Sequence, residues 1–557
     1  MSRSQNTILI VLLAAAVLPY FIGIGDSTLW DANEAFYAET PRVMIETGDY
    51  VSPSFNDKPR FNKPPLTYWI VAASYGIFGV SEWSERLPIV LAAMGLIAAA
   101  FVIGRVMLGT NAGLWAAIVM ATLPRFLMHS RRTSIDMFLT LFMGLTLMFF
   151  ILAEMRPARR KLWLCLMYAC VGLGFMAKGP VAVVLPGAVF FLYLLIEKRL
   201  RDITKMMVPV GLAIFSAIVV PWYLLVYQKH GWDYIVSFIL NENISRYTDE
   251  GWGPRRSFFY LQTMLGDLFP WSLILLVCFV LIVFRKRFSF LKYDVVENTD
   301  TSPFSVARLL AIWIAVIVGF YSLSRNQQDQ YMMPVYVAAA ALVGVFISSF
   351  LADNLQKLTA KVAQYAFVLV GVVLFAVGSV VVYLSFAAKS LDLLGVGLIG
   401  FVLAFGGAMI AILSITRDRS NATLTLPLSI AAIMWIFVLL TLPDFERYKP
   451  VKPLSEIIAA NAGPDAKVGY YRYTAPTMVF YLRRPVLEYF KEEELIDLFN
   501  EPQSSFMIMT EADYETIRPQ LSTDARVIAS QPLLRIRLNE LFSEKKEPQV
   551  VLVTNAK

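Results

Sequence analysis

Thirteen apolar runs, each about as long as a bilayer is thick, recur along the chain and constrain its fold more than any other feature. They lie near residues 7–24, 87–107, 112–128, 134–154, 161–177, 180–197, 206–228, 258–284, 306–323, 331–351, 363–387, 391–415 and 423–442. A segment crossing hydrocarbon must satisfy its own backbone hydrogen bonds, so runs of roughly 18 or more apolar residues predict membrane-spanning helices. Hydrophobic residues make up 57% of the 557 residues and charged ones only 16%, which excludes an ordinary soluble core. The first run follows the basic start MSRSQ without a clear small-residue cleavage site, and reads as a retained helix. The fold class expected is an all-α polytopic membrane domain of about thirteen helices.

Loop charge tests that count. With a cytoplasmic N-terminus, alternate loops should be basic. They are: residues 105–113, RPARRK at 156–161, EKRLRDITK at 197–205, RKRFSFLKYD at 285–294, the Lys357 and Lys361 loop, and TRDRS at 416–420. The net charge of +7 is therefore a topology signal and calls for no nucleic-acid partner. One loop on the external side breaks the rule: PRFLMHSRRTS at 124–134 carries Arg125, Arg131 and Arg132. External cations suit anionic ligands or lipid head groups; the alternative is that spans three and four form one re-entrant unit. Cys165, Cys170 and Cys278 all sit in apolar segments and offer neither a disulfide framework nor zinc spacing. Two histidines, His129 and His230, are too few for a histidine-based metal site.

An odd number of spans leaves the chain beyond Asp444 outside. There, β-like runs (AKVGYYRY, TMVFYLRRPVLEYF, SSFMIMT, ARVIAS, QVVLVT) alternate with helical pieces such as KEEELIDLF and EADYETIRPQL. This predicts a small α/β periplasmic domain over 444–557, accessory because it lacks a phosphate-binding glycine loop. Residues 1–443 form the membrane part, with an external loop at 26–86.

That loop holds the densest polar sequence, LWDANEAFYAETPRVMIETGDYVSPSFNDKPRFNKPPLTYW at 29–69. Long polar loops pinned at a membrane surface are usually working parts, although a solvated connector would also be polar. Asp31 and Glu34 share a face if the segment is helical, and such a pair could act as a base, hold a divalent ion, or merely cap a helix. Lys63, before Pro64 and Pro65, sits on a stiff backbone suited to a phosphate, or simply snorkels to water. Arg60 lies in the same basic stretch. Asp136, inside an apolar run, should have a partner or a task, and Lys178 in AKGP raises the same question. Further candidates are Arg246 and Arg255 in the external loop 229–257, and Arg325 and Tyr331 in SLSRNQQDQYMMPVY. All fall on the external side under the charge-derived topology.

Taken in order, W-D-x-x-E-x-x-Y-A-E, K-P-P-L-x-Y-W, R-x-S-x-D, A-K-G-P and S-x-S-R…Y-x-x-P resemble the GT-C membrane glycosyltransferases. Within them the pattern is most similar to the branch containing aminoarabinose transferase (ArnT) and protein-mannosyltransferase-like enzymes, over roughly residues 1–350. The resemblance implies transfer of a sugar from a polyprenyl-phosphate donor to a periplasm-facing acceptor such as lipid A, at the bacterial inner membrane. It places the family's acidic motif on Asp31 and Glu34, its loop tyrosine on Tyr37, its Lys-Pro lysine on Lys63 and its later tyrosine on Tyr331. Asn33 stands where the family carries Asp, Phe36 where it carries Arg, Asn62 where it carries Glu, and Asn243 where it carries His. Two ligand types lost together argue against a transition metal, while a divalent cation is still open.

The reaction expected is displacement at the anomeric carbon with lipid phosphate leaving. Lys63, Arg131 and other external cations would hold the phosphate. Asp31, or second Glu34, would be the base if the acceptor is a hydroxyl. Other envelope glycans or protein are alternative acceptors. A transporter or flippase also needs many spans, but it tends to carry paired repeats and interrupted helices, which the chain does not show. A non-catalytic assembly partner of the envelope is a third reading. The protein is expected to act as a monomer.

Overall fold

A computed structural model describes residues 3–238, 256, 258–283, 301–353, 355, 357–387, 394–521, 525–533 and 548–556. Among them, nine helices are long and apolar enough to cross a membrane, and two helix pairs bent by 67° and 115° bring the number to eleven if each pair is one broken span rather than a re-entrant loop. Each expected apolar run coincides with one of these or with the shorter apolar helices Gln5–Tyr20 and Val181–Ile196. The chain is a multi-pass membrane protein.

In the first half the helices are α1 (Arg3–Val17), α2 (Asn33–Thr47), α3 (Leu66–Phe78), α4 (Glu82–Leu108), α5 (Thr110–Ala121), α6 (Pro124–Ser130), α7 (Ile135–Met155), α8 (Arg160–Lys178) and α9 (Val181–Ile196). The expected third span is the bent pair α5–α6. Pro124 opens its second half, where its missing N–H costs nothing but the helix cannot run through. α3 was not anticipated: LTYWIVAASYGIF is apolar but only 13 residues long, short of a bilayer. The helix Tyr336–Leu351 is buried almost throughout and lies at the centre of the bundle. Its Gly344 allows closest approach to α5, since a Cβ there would lie 2.3 Å from the Ala116 nitrogen. Helices Lys357–Ala387 and Leu394–Ile415 lie outermost and leave Phe375, Phe386, Phe401 and Phe405 exposed, as lipid-facing side chains should be.

Within the external loop, β1 (Ser54–Phe55) and β2 (Lys58–Pro59) form a small hairpin. After the last span comes a five-stranded sheet of β3 (Lys467–Tyr471), β4 (Leu487–Tyr489), β5 (Ser505–Thr510), β6 (Arg526–Pro532) and β7 (Gln549–Thr554). Its strand order is β4-β3-β5-β7-β6, parallel across β4-β3-β5 and antiparallel through β7 and β6. The two-residue strand period sends Phe506, Ile508, Val550 and Leu552 to one core with Leu454 and Ile458. Met507, Met509, Val551 and Val553 face a second core with Leu495, Leu498 and Phe499. One expected strand is corrected: TMVFYL folds as a short helix, Met478–Leu482, and only Leu487–Tyr489 of that run is strand. Packing decided it, because Phe480 is drawn into an apolar cluster with Leu29, Ala38, Val71 and Tyr75 of the membrane part.

Candidate active site

The external loop is organised by a buried ion pair. Arg86, on the first turns of α4, is fully buried and donates from Nε to Glu34 Oε1 at 2.8 Å and from Nη2 to Oε2 at 2.9 Å. Its remaining donors reach the carbonyls of Ile24, Ser27 and Thr28 at 2.7–3.0 Å. Glu34 also accepts from the amides of Trp30 (2.8 Å) and Thr133 (2.9 Å). Burial opposes the charge on Glu34, yet Arg86 and these amides hold its carboxyl below the usual range. With four donors on two oxygens and 1% exposure, Glu34 holds the loop together. That corrects the expectation of Glu34 as a second candidate base.

Asp31 has the opposite setting. Its side chain reaches solvent, and Oδ1 accepts the amide of Thr477 at 2.8 Å. Crowding by the surrounding protein withdraws water and pushes its carboxyl up to about 6; Thr477 and the charge of Lys449 act against the rise, and Glu34 adds to it. Beside it, the half-exposed Trp30 ring has Lys449 Nζ 4.0 Å and Arg132 Cζ 5.5 Å from its centroid. Among the described residues the Arg132 guanidinium makes no hydrogen bond or ion pair. An exposed carboxylate pushed up to about 6 thus lies beside an indole and the Lys449 ammonium, with the Arg132 guanidinium on the same indole ring.

A second cluster lies where the bundle meets the loop. Lys178 pairs with Asp136, so the buried carboxylate has the partner expected of it, and Lys178 Nζ lies 4.4 Å from the Tyr331 ring centroid. Tyr331 stacks on Tyr321 at 4.7 Å. Gly179, at φ 108°, is needed twice over: the left-handed backbone favours glycine, and a Cβ would lie 2.5 Å from Phe238. Phe238 packs on Tyr234 at 6.1 Å, and the Tyr234 hydroxyl donates to the Lys63 carbonyl at 2.6 Å. Tyr37 stacks on Tyr68 at 5.7 Å and shares a cluster with Ile135, next to Asp136. Lys178 thus touches both Asp136 and Tyr331, while Tyr37 reaches this cluster through Ile135 and the Lys63 backbone through Tyr234 and Phe238.

Other expected residues have different positions. Arg131 is buried with Nη1 on the carbonyls of Pro19 and Ile22, both at 2.6 Å, and Nη2 on Gly23 at 2.9 Å. It ties down the chain leaving α1, which corrects its expected phosphate role. Arg60 stacks on Phe36 at 3.7 Å, so the position where the family carries Arg has a guanidinium over it, delivered by the hairpin. Arg325 is exposed at the end of helix Pro303–Leu323. Arg246 and Arg255 lie outside the described residues. Among the described residues, no group of three or more His, Cys, Asp or Glu side chains could hold a metal ion.

Arg86, Trp30, Lys449 and Thr477 were missed as site residues. Arg86 carried a signal, a charge opening an apolar run. Thr477 acts through its backbone amide, which leaves no mark in composition.

Over its whole length the chain superimposes on ArnT from Cupriavidus metallidurans bound to undecaprenyl phosphate, with TM-score 0.78 at 20% identity, covering 100% of this chain and 99% of that one. The chain has the ArnT fold. The archaeal oligosaccharyltransferase AglB of Archaeoglobus fulgidus matches the ArnT-like frame more loosely, at TM-score 0.52 and 12% identity over 92% of this chain and 70% of that one. Residues 62–224 match the family model for dolichyl-phosphate-mannose-protein mannosyltransferase. Two undecaprenyl phosphate-alpha-4-amino-4-deoxy-L-arabinose arabinosyl transferases are similar in sequence. That of Pseudomonas aeruginosa strain UCBPP-PA14 is 30% identical over 351 residues, 62% of this chain and 60% of the relative. That of Pseudomonas savastanoi pv. phaseolicola is 28% identical over 337 residues, 60% of each. The matched region thus spans about 60% of these relatives' lengths.

Proposed function

We propose that the chain is a membrane glycosyltransferase that takes a sugar from a polyprenyl-phosphate carrier, such as undecaprenyl-phosphate aminoarabinose, and attaches it to a periplasm-facing acceptor. The observation that carries this reading is the setting of Asp31: an exposed carboxylate pushed up to about 6, beside Trp30 and Lys449, on an ArnT fold. The acceptor hydroxyl attacks the anomeric carbon as its proton passes to Asp31. The carbon–oxygen bond to the lipid phosphate breaks, and the carrier leaves as polyprenyl phosphate.

Asp31 is the general base, working best when its pKa lies near the operating pH. Lys63, Lys178, Arg60 and Arg132 supply positive charge for the phosphates, and Tyr37 and Tyr331 line the approach. Asp136 holds Lys178 in place. Arg325, Arg246 and Arg255 remain candidates for outer contacts. A base at this position favours a hydroxyl on lipid A, on another envelope glycan or on protein over an already ionised phosphate. The chain sits in the bacterial inner membrane as a monomer, with its N-terminus cytoplasmic. Residues 1–443 form the transferase domain and 444–557 a periplasmic domain.

The test is transfer of labelled sugar from the carrier to envelope lipids in proteoliposomes. Asp31→Asn should abolish product while retaining carrier binding; near-normal turnover in that variant would remove Asp31 from the chemistry.

A further inference from the structure

The soluble sheet region touches the catalytic loop at one place only loosely expected of an accessory unit. Thr477 N donates to Asp31 Oδ1 at 2.8 Å across 446 positions of chain. Four further bonds fix the same seam. The Tyr481 hydroxyl accepts Leu29 N at 2.9 Å, Glu446 Oε2 accepts Thr28 N at 2.8 Å, and Asn56 exchanges both amide bonds with the Val486 backbone at 2.8 Å each. Phe480, one turn beyond Thr477, is buried among Leu29, Ala38 and Tyr75. The short helix Met478–Leu482, which Thr477 immediately precedes, is therefore held by packing, and so is the Thr477 amide against the carboxylate.

We propose that Thr477 is a positioning residue for the transfer reaction: its amide aims and polarises Asp31, so the C-terminal region is part of the active site rather than a passenger. This rests on the glycosyltransferase reading above. A hydrogen bond to the charged form favours that form, and the remaining oxygen of Asp31 stays open to an acceptor. The other charged or titratable groups facing Asp31 are Lys449 from the segment after the last span, Glu34 from α2, Tyr470 from β3 and Tyr473 just beyond that strand. Lys449 alone is cationic. Without the Thr477 amide, the carboxylate loses its direct donor.

Thr477 has φ −64°, which proline accepts, so Thr477→Pro deletes the N–H and Thr477→Ala retains it. In the full-length protein, Thr477→Pro should lower kcat about tenfold and move the acid limb of the rate profile upward by about one pH unit. KM for the lipid donor should stay unchanged, and Thr477→Ala, which loses only the hydroxyl beside Asp31 and keeps the amide, should move the limb less than Thr477→Pro. If Thr477→Pro does not fold, Asn56→Ala with Tyr481→Phe loosens the seam without touching either partner, and should shift the limb the same way by less. Infrared difference spectra against Asp31→Asn follow the carboxyl titration whether or not transfer occurs. Loss of all transfer in the parent protein would refute the glycosyltransferase reading and leave the infrared shift to judge this one. An unmoved limb and an unmoved titration in a folded Thr477→Pro protein, or an equal loss in Thr477→Ala, would overturn it.

Discussion

Replacing Arg86 by methionine is the perturbation whose size the structure sets most directly. Arg86 and Glu34 are 0% and 1% exposed. The variant leaves a buried carboxylate with two amide donors and no counter-charge. Breaking a buried pair from one side costs about 3–5 kcal/mol. The carbonyls of Ile24, Ser27 and Thr28 lose their shared donor, adding about 1 kcal/mol for each bond lost. Together these approach the whole stability of a typical domain, about 5–15 kcal/mol, so Arg86→Met should express poorly and melt far below the parent protein. Glu34→Gln keeps the shape and leaves Arg86 three carbonyls, so its loss should fall near the lower end, about 3 kcal/mol. The double variant buries no unpaired charge and should recover part of the loss. Thermal unfolding in detergent, followed by size exclusion, ranks the four proteins. Asp31→Asn belongs in the same series and should melt with the parent protein, since an amide oxygen can still accept from Thr477. An Arg86→Met protein as stable as the parent would refute this reasoning. So would a Glu34→Gln protein that melts normally yet transfers nothing, because Glu34 would then be chemical.

Further outcomes follow from the same geometry. Asp31 works only when ionised and has its carboxyl pushed up to about 6, so kcat/KM should be flat above that pH and fall about tenfold per unit below it; an acid limb near pH 4 would contradict this. Gly179→Ala meets both a left-handed backbone and the Phe238 ring at 2.5 Å, so carrier binding should weaken while the global melting temperature falls only modestly. Lys178→Met strands the buried Asp136 and should lose both stability and carrier binding. Adding Asp136→Asn should restore melting but not binding, as measured by retention of a labelled polyprenyl phosphate.

The membrane architecture was legible because lipid imposes its demand on every residue of a span. Apolar runs and basic loops marked each long helix, and the isolated carboxylate of Asp136 announced a partner. α3 escaped because its 13 residues fall below bilayer thickness, although its packing against the loop gives it a place. TMVFYL looked like a strand because alternating β-branched and aromatic residues suit either state, and only the pocket for Phe480 decided it. Arg131 and Arg132 are neighbours of equal charge, yet one is anchored to three carbonyls and the other lies half-buried over Trp30. Nothing local in sequence separates them; the carbonyls at the end of α1 do. Long-range pairings such as Glu34 with Arg86 and Asp31 with Thr477 depend on the folded contact itself.

The most direct test of the whole account is a coupled measurement in proteoliposomes carrying a doubly labelled sugar–phosphate–polyprenol and a hydroxyl-bearing envelope acceptor. The account predicts one free polyprenyl phosphate for each glycosylated acceptor, with both products absent in Asp31→Asn. Movement of intact donor across the bilayer, with its sugar–phosphate bond unbroken, would contradict it.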